Sequence, residues 1–272
     1  MGFTILSWNV ESFDGDSGQL AEVVQHIKQD QPEIFGLFEI ENINIIDLLD
    51  NHFQDYNFHL TEGAQNKEIL VAIKKNRFTN TVFTQKREFK VFNPFLRPGA
   101  FITLKDDGKL YNILFLHTDS GTEAPDFGNR QEMFEKIWKL KKALDKKTSN
   151  PNARLIVLGD VNTMGLSFPT RRKSDLRVSS KEEIEILDKV ARKSNMKLLQ
   201  KDEDLTFNNL RLTSDLDHVV ASQNLVLKDF ATDAQNPIHV MVRGWNQLSG
   251  NDRENFIENV SDHSSLTIHV VS

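Results

Sequence analysis

Two hydrophobic periods alternate along this chain, one of two residues and one close to four, and their order sets the expected layout. Phe3 to Asn9 is apolar and β-prone, and Leu20, Val23, Val24 and Ile27 then recur at helical spacing up to Gln31-Pro32, where proline stops a helix. Ile34 to Ile40 reads as a buried strand, and Asn42 is placed to cap a helix carrying Ile45, Ile46, Leu48 and Leu49. Between Tyr56 and His117 the short period returns in β-prone runs at Tyr56 to Thr61, Ile69 to Lys74, Thr79 to Thr84, Phe89 to Phe92, Ala100 to Leu104 and Tyr111 to His117. That much consecutive strand does not fit a doubly wound parallel sheet.

A long helix is predicted from Gly128 to Lys147, with Met133, Phe134, Ile137, Trp138, Lys141 and Leu144 on one mostly apolar face. Arg154 to Leu158 is a short buried strand, and Ser180 caps a helix bearing Ile184, Leu187, Val190 and Ala191. Further strands are expected near Leu216 to Ala221, Leu225 to Phe230 and Leu266 to Val271. No repeat, low-complexity tract or Pro/Gly/Ser linker divides the sequence, and Asp106 to Lys109 has hairpin-turn chemistry. The expectation is one α+β domain over residues 1–272, with two packed, mostly antiparallel sheets and helices outside them.

Composition narrows the chemistry. Apolar residues make up 39% of the chain and charged residues 26%, as in ordinary globular proteins, and there is no cysteine. Thiolate metal sites, disulfides and a cysteine nucleophile are excluded. No apolar run approaches the roughly 18 residues of a membrane helix, and the N-terminus shows no basic segment of a signal peptide, so a cytoplasmic protein without membrane insertion is expected. The net charge of −6 offers no global attraction to a polyanion. Its distribution is uneven, since residues 1–66 hold one basic residue, Lys28, against twelve acidic ones. Residues 67–97 reverse this with eight basic residues against Glu68 and Glu88, and a second basic knot comprises Arg171, Arg172, Lys173 and Arg177. Either segment suits a nucleic-acid backbone; either is equally an ordinary solvated strand edge.

Polar clusters fall where the strands end: Ser7-Trp8-Asn9, Phe38-Glu39-Ile40-Glu41-Asn42, Leu116-His117-Thr118-Asp119-Ser120, Leu158-Gly159-Asp160-Val161-Asn162, Asp215-Leu216-Asp217-His218 and Ser261-Asp262-His263-Ser264-Ser265. Hard oxygen donors without thiolates suit Mg²⁺ or Mn²⁺, between which the donors do not choose. The Asp-His pairs are candidates for a carboxylate-oriented acid or base. Taken singly, such clusters are more often turn residues, Asx turns, local hydrogen bonds or helix caps.

In their combination and order these motifs resemble the endonuclease/exonuclease/phosphatase superfamily, over nearly the whole chain from Trp8-Asn9 to Asp262-His263. The resemblance implies a four-layer α/β/β/α sandwich. It also implies roles: Glu39 as main metal ligand with Asn9 and Asp262 in support, Asp160 to position or deprotonate the attacking water, and Asn162 to hold a phosphate oxygen. His263 would contact the phosphate and share acid/base work, oriented by Asp217. His117 is similar to the family's second histidine, Glu68 to that histidine's acidic partner, and Arg97 to an arginine facing the phosphate. Cleavage by in-line attack needs a placed nucleophile, a cation on the developing charge and help for the leaving oxygen, and this set would supply all three. Both histidines, held by carboxylates, are expected to stay protonated near neutral pH.

There are departures. Phe38 stands where a Gln often precedes the metal-binding Glu, and His218 follows Asp217 where tyrosyl-DNA phosphodiesterases have Arg. Pro237 to Val260 is a long approach to Asp262, in which Trp245 either stacks on a ligand or anchors the loop to the core. The leading expectation is a metal-dependent nuclease acting on DNA or RNA. The alternative is a phosphatase or phosphodiesterase acting on a small phosphate ester or lipid headgroup, and a non-catalytic scaffold is the remaining one. Oligomeric state has no sequence signature here.

Overall fold

The computed structural model describes residues 2–64, 67–148, 152–168, 176–231 and 236–271. In chain order these form β1 (Phe3–Phe13), α1 (Ser17–Asp30), β2 (Ile34–Ile40), α2 (Ile45–Asp50), β3 (Tyr56–Leu60), β4 (Glu68–Lys74), β5 (Thr79–Lys86), β6 (Gly99–Asp106) and β7 (Lys109–Phe115). There follow α3 (Ala124–Lys147), β8 (Arg154–Asp160), β9 (Leu166–Phe168), β10 (Leu176–Val178), α4 (Ser180–Lys193), β11 (Met196–Leu198), β12 (Phe207–Asn208), β13 (Thr213–Ser214), β14 (Asp217–Ser222), β15 (Met241–Arg243), α5 (Gly250–Asn259) and β16 (Ser265–Val270). One six-stranded sheet has the order β15-β16-β1-β2-β4-β3 and the other β11-β14-β8-β7-β6-β5. Only the β1–β2 and β7–β8 pairs within them are parallel.

The four layers follow from the two-residue period. Inward-facing Phe3, Ile5, Ile34, Ile69 and Val71 meet Ala100, Ile102, Ile113, Phe115, Ile156 and Leu158 between the sheets. The alternate residues of the first sheet, such as Leu6, Trp8, Phe35, Leu37 and Leu70, pack under α1 and α2 through Val23, Val24, Ile27, Ile45 and Leu49. Those of the second sheet, among them Leu114, Leu155 and Val157, lie under α3 and α4 through Met133, Phe134, Ile137, Trp138 and Leu187. The sheets approach so closely at Gly36 that a Cβ there would sit 2.2 Å from the Phe115 ring. This is the α+β sandwich that the residue patterns call for.

Several elements depart from expectation. Phe89 to Phe92 is not a strand: Arg87–Lys90 makes a 3₁₀ turn with Phe89 buried. Leu225 to Phe230 is not a full strand: it makes a single bridge, Leu227 to Val270, flanked by the Lys228 N–H on the His269 carbonyl and the Val271 N–H on the Val226 carbonyl, both at 2.9 Å, and it buries Leu225 and Leu227 at the inter-sheet core. The long helix starts at Ala124 rather than Gly128, since a Glu123/Asp126 capping box and Pro125 set its first turn. Ser179, not Ser180, caps α4. Asn44 occupies the cap position of α2, while Asn42 accepts the Asn44 backbone N–H at 2.9 Å. Trp245 is buried, with the Arg253 guanidinium 4.9 Å from its ring, so it anchors the Pro237 to Val260 segment. Of the second basic knot, Arg171, Arg172 and Lys173 lie outside the described residues, and Arg177 lies in β10.

Candidate active site

The inward-facing rows turn polar at one end of the sandwich. Phe3-Ile5-Ser7 ends in Asn9, Tyr111-Ile113-Phe115 leads to His117, Ile156-Leu158 leads to Asp160, and β14 begins at Asp217 opposite Asp160. Parallel pairing continues past β7, with the Leu116 N–H on the Leu158 carbonyl at 3.1 Å and the Thr118 N–H on the Asp160 carbonyl at 2.9 Å. His117 and Asp160 are thereby held side by side. Gly159 fits this crossing because its φ of 145° and the 2.2 Å that would separate a Cβ from the Leu116 carbonyl leave no room for a side chain.

Glu39 reaches the same place by breaking the period. Four residues of β2, Leu37 to Ile40, oppose three of β4, Leu70 to Glu68, a bulge with Glu39 at φ 62°. The adjoining part of β1 also shifts register, with Glu11 and Ser12 at φ 45° and 48°. Left-handed backbone at non-glycine residues is uncommon and collects at functional sites. The third arm comes from the segment before β16. Ser261 Oγ donates to the Asn9 carbonyl at 2.7 Å and accepts the His263 N–H at 2.9 Å, while Trp8 Nε1 donates to the His263 carbonyl at 2.9 Å. Trp8 and Ser261 thus fix the two clusters to each other.

A cleft of about 290 Å³ opens there, lined by Asn9, Glu39, His117, Asp160, Asn162, Asp262 and His263. Asn9 Nδ2 donates to Asp160 Oδ2 at 3.0 Å and reaches Glu39 Oε1 at 3.5 Å. Asp160 Oδ2 also faces His117 Nε2 at 3.4 Å and His263 Nε2 at 3.8 Å. Asp160 Oδ1 accepts the Asn162 N–H at 3.2 Å, so the Asx turn and the cleft geometry are one feature. Asp217 lies behind the cleft and holds His263 Nδ1 at 2.8 Å.

Arg97 and Glu68 are set back from the cleft. Arg97 Nε donates to the Lys67 carbonyl at 2.9 Å. Glu68 shares the parity of Leu70, on the helix-covered face, and accepts the Thr61 hydroxyl at 2.5 Å. No hydrogen bond joins it to His117, whose Nδ1 has no partner among the described residues. Lys67, unassigned from sequence although it adjoins Glu68, places its ammonium 2.7 Å from Glu39 Oε2 and 3.1 Å from Ser12 Oγ. Phe207 and Leu212, on the two-strand hairpin β12–β13, form an apolar wall, and the Phe207 ring stands edge-on to His263 with centroids 5.0 Å apart. Strands of two residues leave no periodic trace in a sequence.

The electrostatics are those of crowded carboxylates. Burial opposes a charge on His263, but Asp217 and Asp160 outweigh it and push the imidazole up to about 10. Burial likewise carries Asp160 up to about 7 against the pull of His263, with Asp217 and Glu39 adding to the rise. Asp262 is raised to about 7 by burial, with Glu11, Glu39 and Asp217 adding repulsion against the pull of His263. Burial would raise Glu39 too, yet the Lys67 hydrogen bond and charge hold it below the usual range. His117 departs from the expectation of two protonated histidines: burial, Arg97, His263 and Lys67 all drive its pKa well below 6.5 and leave it neutral.

These donors fit a divalent cation. Glu39 and Asp262 bring carboxylate oxygens to one cleft, where Asn9 turns its Nδ2 toward Glu39 while its Oδ1 accepts the Glu11 N–H at 3.1 Å, and Asp160, Asp217 and His263 form a buried group whose candidate ligand atoms lie within 4.8 Å of one another.

No curated protein sequence matches this one. Among solved structures, truncated TDP2 of Caenorhabditis elegans is similar over 100% of this chain and 98% of its own, with a TM-score of 0.66 at 14% identity. TDP2 of D. rerio complexed with single strand DNA product is similar over 100% and 99% of the two chains, with a TM-score of 0.65 at 14% identity. A mannosyl-6-phosphatase of Bacteroides thetaiotaomicron aligns over 99% and 100%, with a TM-score of 0.63 at 15% identity. Such likenesses speak to fold. The sequence itself matches the family described as Endonuclease/Exonuclease/phosphatase over residues 6–263, and the chain belongs to that family.

Proposed function

We propose that this protein is a divalent-metal-dependent phosphodiester hydrolase that cleaves nucleic acid by attack of an activated water on phosphorus. The observation that carries the reading is the convergence, in one cleft, of Asp160, the Asp217–His263 pair, Asn9 and Glu39. Glu39, Asn9 and Asp262 would hold the cation, which when bound offsets negative charge on the phosphoryl group.

The side chains account for the remaining work. Asp160 is buried, accepts from Asn9 and is the carboxylate placed to take a proton from water. His263, kept cationic by Asp217, donates from Nε2 to a phosphate or leaving oxygen. Asn162 is anchored by its Nδ2 on the Thr118 carbonyl at 3.3 Å and orients the phosphate at the rim. Neutral His117, beside Asp160, serves as a hydrogen-bond partner rather than as a second cation.

A second reading, a phosphatase or phosphodiesterase for a small phosphate ester, is favoured by one observation: a cleft of about 290 Å³ with an apolar wall at Phe207 and Leu212 suits a single headgroup. Both are tested by incubating the protein with supercoiled DNA, single-stranded RNA and a panel of phosphomonoesters and headgroups in Mg²⁺ and Mn²⁺, with and without EDTA. Nicking or shortening of nucleic acid that needs metal and falls at least about a hundredfold in Asp160→Ala, Glu39→Ala and His263→Ala is expected. Turnover confined to a small ester would install the second reading, and near-normal turnover in any variant would remove that residue from the mechanism.

A further inference from the structure

The turn that leads into Arg97 carries two phenylalanines that the core does not use. The 3₁₀ turn Arg87–Lys90 buries Phe89, and Leu96 returns to the same cluster under the second sheet. Between them Phe92 is 92% exposed and Phe95 57% exposed. Val91 stands between the buried and exposed rings at φ 45° and ψ −123°, a backbone that a β-branched residue adopts only under constraint. The turn is closed by its own hydrogen bonds: Asn93 N–H to the Lys90 carbonyl at 3.0 Å, Leu96 N–H to the Asn93 carbonyl at 3.1 Å, and Phe95 N–H to Asn93 Oδ1 at 3.0 Å. The rings are therefore presented on a fixed loop.

Their surroundings are basic. Lys86, Arg87, Lys90 and Arg97 lie within this stretch against one acid, Glu88, which is 3.7 Å from Lys86. The loop is also tied to the cleft, because Arg97 holds the Lys67 carbonyl and the Lys67 ammonium contacts Glu39. Arg97 lies two positions beyond Phe95, a chain reach of about 7 Å. Exposed aromatics among cations, attached to the wall of a phosphate-handling cleft, match the requirements of unpaired bases, which offer a flat face for stacking and a phosphate beside each one. Paired bases in a duplex have no free face to give.

We propose that residues 87–97 are a stacking arm for single-stranded nucleic acid, with Phe92 and Phe95 taking bases and Arg87 and Lys90 the intervening phosphates. This rests on the nucleic-acid reading of the cleft. The test is a Phe92→Ala/Phe95→Ala double variant, whose exposed positions leave the core untouched, checked for an unchanged melting temperature. Binding of a labelled single-stranded oligonucleotide is measured by fluorescence anisotropy in EDTA. Cleavage of the same oligonucleotide and of bis(p-nitrophenyl) phosphate is measured with metal. The expected result is oligonucleotide affinity weakened at least about tenfold with a matching rise in KM, unchanged turnover of the small diester, and recovery in Phe92→Trp/Phe95→Trp. Equal oligonucleotide binding and cleavage by the wild type and the alanine variant would overturn the arm and leave the nuclease reading standing. A wild type that turns over small esters but neither binds nor cuts nucleic acid would overturn both. Binding to anionic phosphatidylserine vesicles that is lost in the variant, with oligonucleotide binding unchanged, would reassign the loop to a membrane surface.

Discussion

His263 keeps its proton because two carboxylates outweigh the cost of burying a cation, and removing one of them should reverse the balance. In Asp217→Asn the imidazole, still buried and still near Asp160, is expected to titrate well below about 10, which NMR of the His263 ring reads directly. Its raised pKa also sets a stability window. A stabilisation fully present below the unfolded value of about 6.5 fades as pH rises through about 10, so the alkaline loss of stability expected of the wild type should flatten in the variant. An unchanged His263 titration would show that Asp217 does not govern it. At this scale much of the site was legible. Asn9, His117, Asp160 and Asp217 continue inward-facing apolar rows, so period and polarity together point to them. Glu68 was deceptive because its parity sends it to the other face of the sheet, and nothing in the local sequence says that the Lys67 ammonium will lie on Glu39.

At the scale of elements, the loops after β7 and β8 are pinned by one buried ion pair. Arg130 on α3 meets Glu183 on α4 at 2.9 Å through Nε, and its Nη atoms donate to the Gly121 and Gly165 carbonyls at 2.7 and 2.6 Å. Glu183 also accepts the Gly165 N–H at 2.7 Å. Arg130→Met would remove the guanidinium that faces the Glu183 carboxyl where both side chains are 0% exposed, and should lower stability by about 3–5 kcal/mol in urea unfolding. A loss under about 0.5 kcal/mol would contradict that account. The sequence marks α3 by its apolar face yet hides its start, because the cap is made by Glu123 and Asp126 rather than by the usual small polar residue. It hides α5 entirely, since Gly-Asn-Asp-Arg-Glu-Asn has no apolar period and only Ile257 of that helix is buried.

Across the whole molecule, the long alternating strands made the two-sheet sandwich readable, whereas the order of strands within each sheet had no local signature. The site draws on both sheets. Asn9 and Glu39 belong to the first, and Asp160 and Asp217 to the second. Across the gap they are joined by the Asn9–Asp160 hydrogen bond, and His263, which precedes β16 of the first sheet, reaches Asp217. The Arg97 Nε bond to the Lys67 carbonyl adds a further tie, and the apolar filling between the sheets sets the rest of the spacing. Ile156→Val, within that filling, should cost only about 1 kcal/mol of stability. Its effect on kcat is expected to be larger, because a shift of about 1 Å in reacting groups can cost about a hundredfold. Activity on heating should accordingly fall before global unfolding begins, and loss of both at one temperature would argue against this coupling. The contact between Gly36 and the Phe115 ring shows how little slack that filling leaves. The hydrophobic interior thus serves as a spacer gauge for the polar groups at its edge, and a methyl group far from the cleft becomes a means of detuning the proposed activity without unfolding the protein.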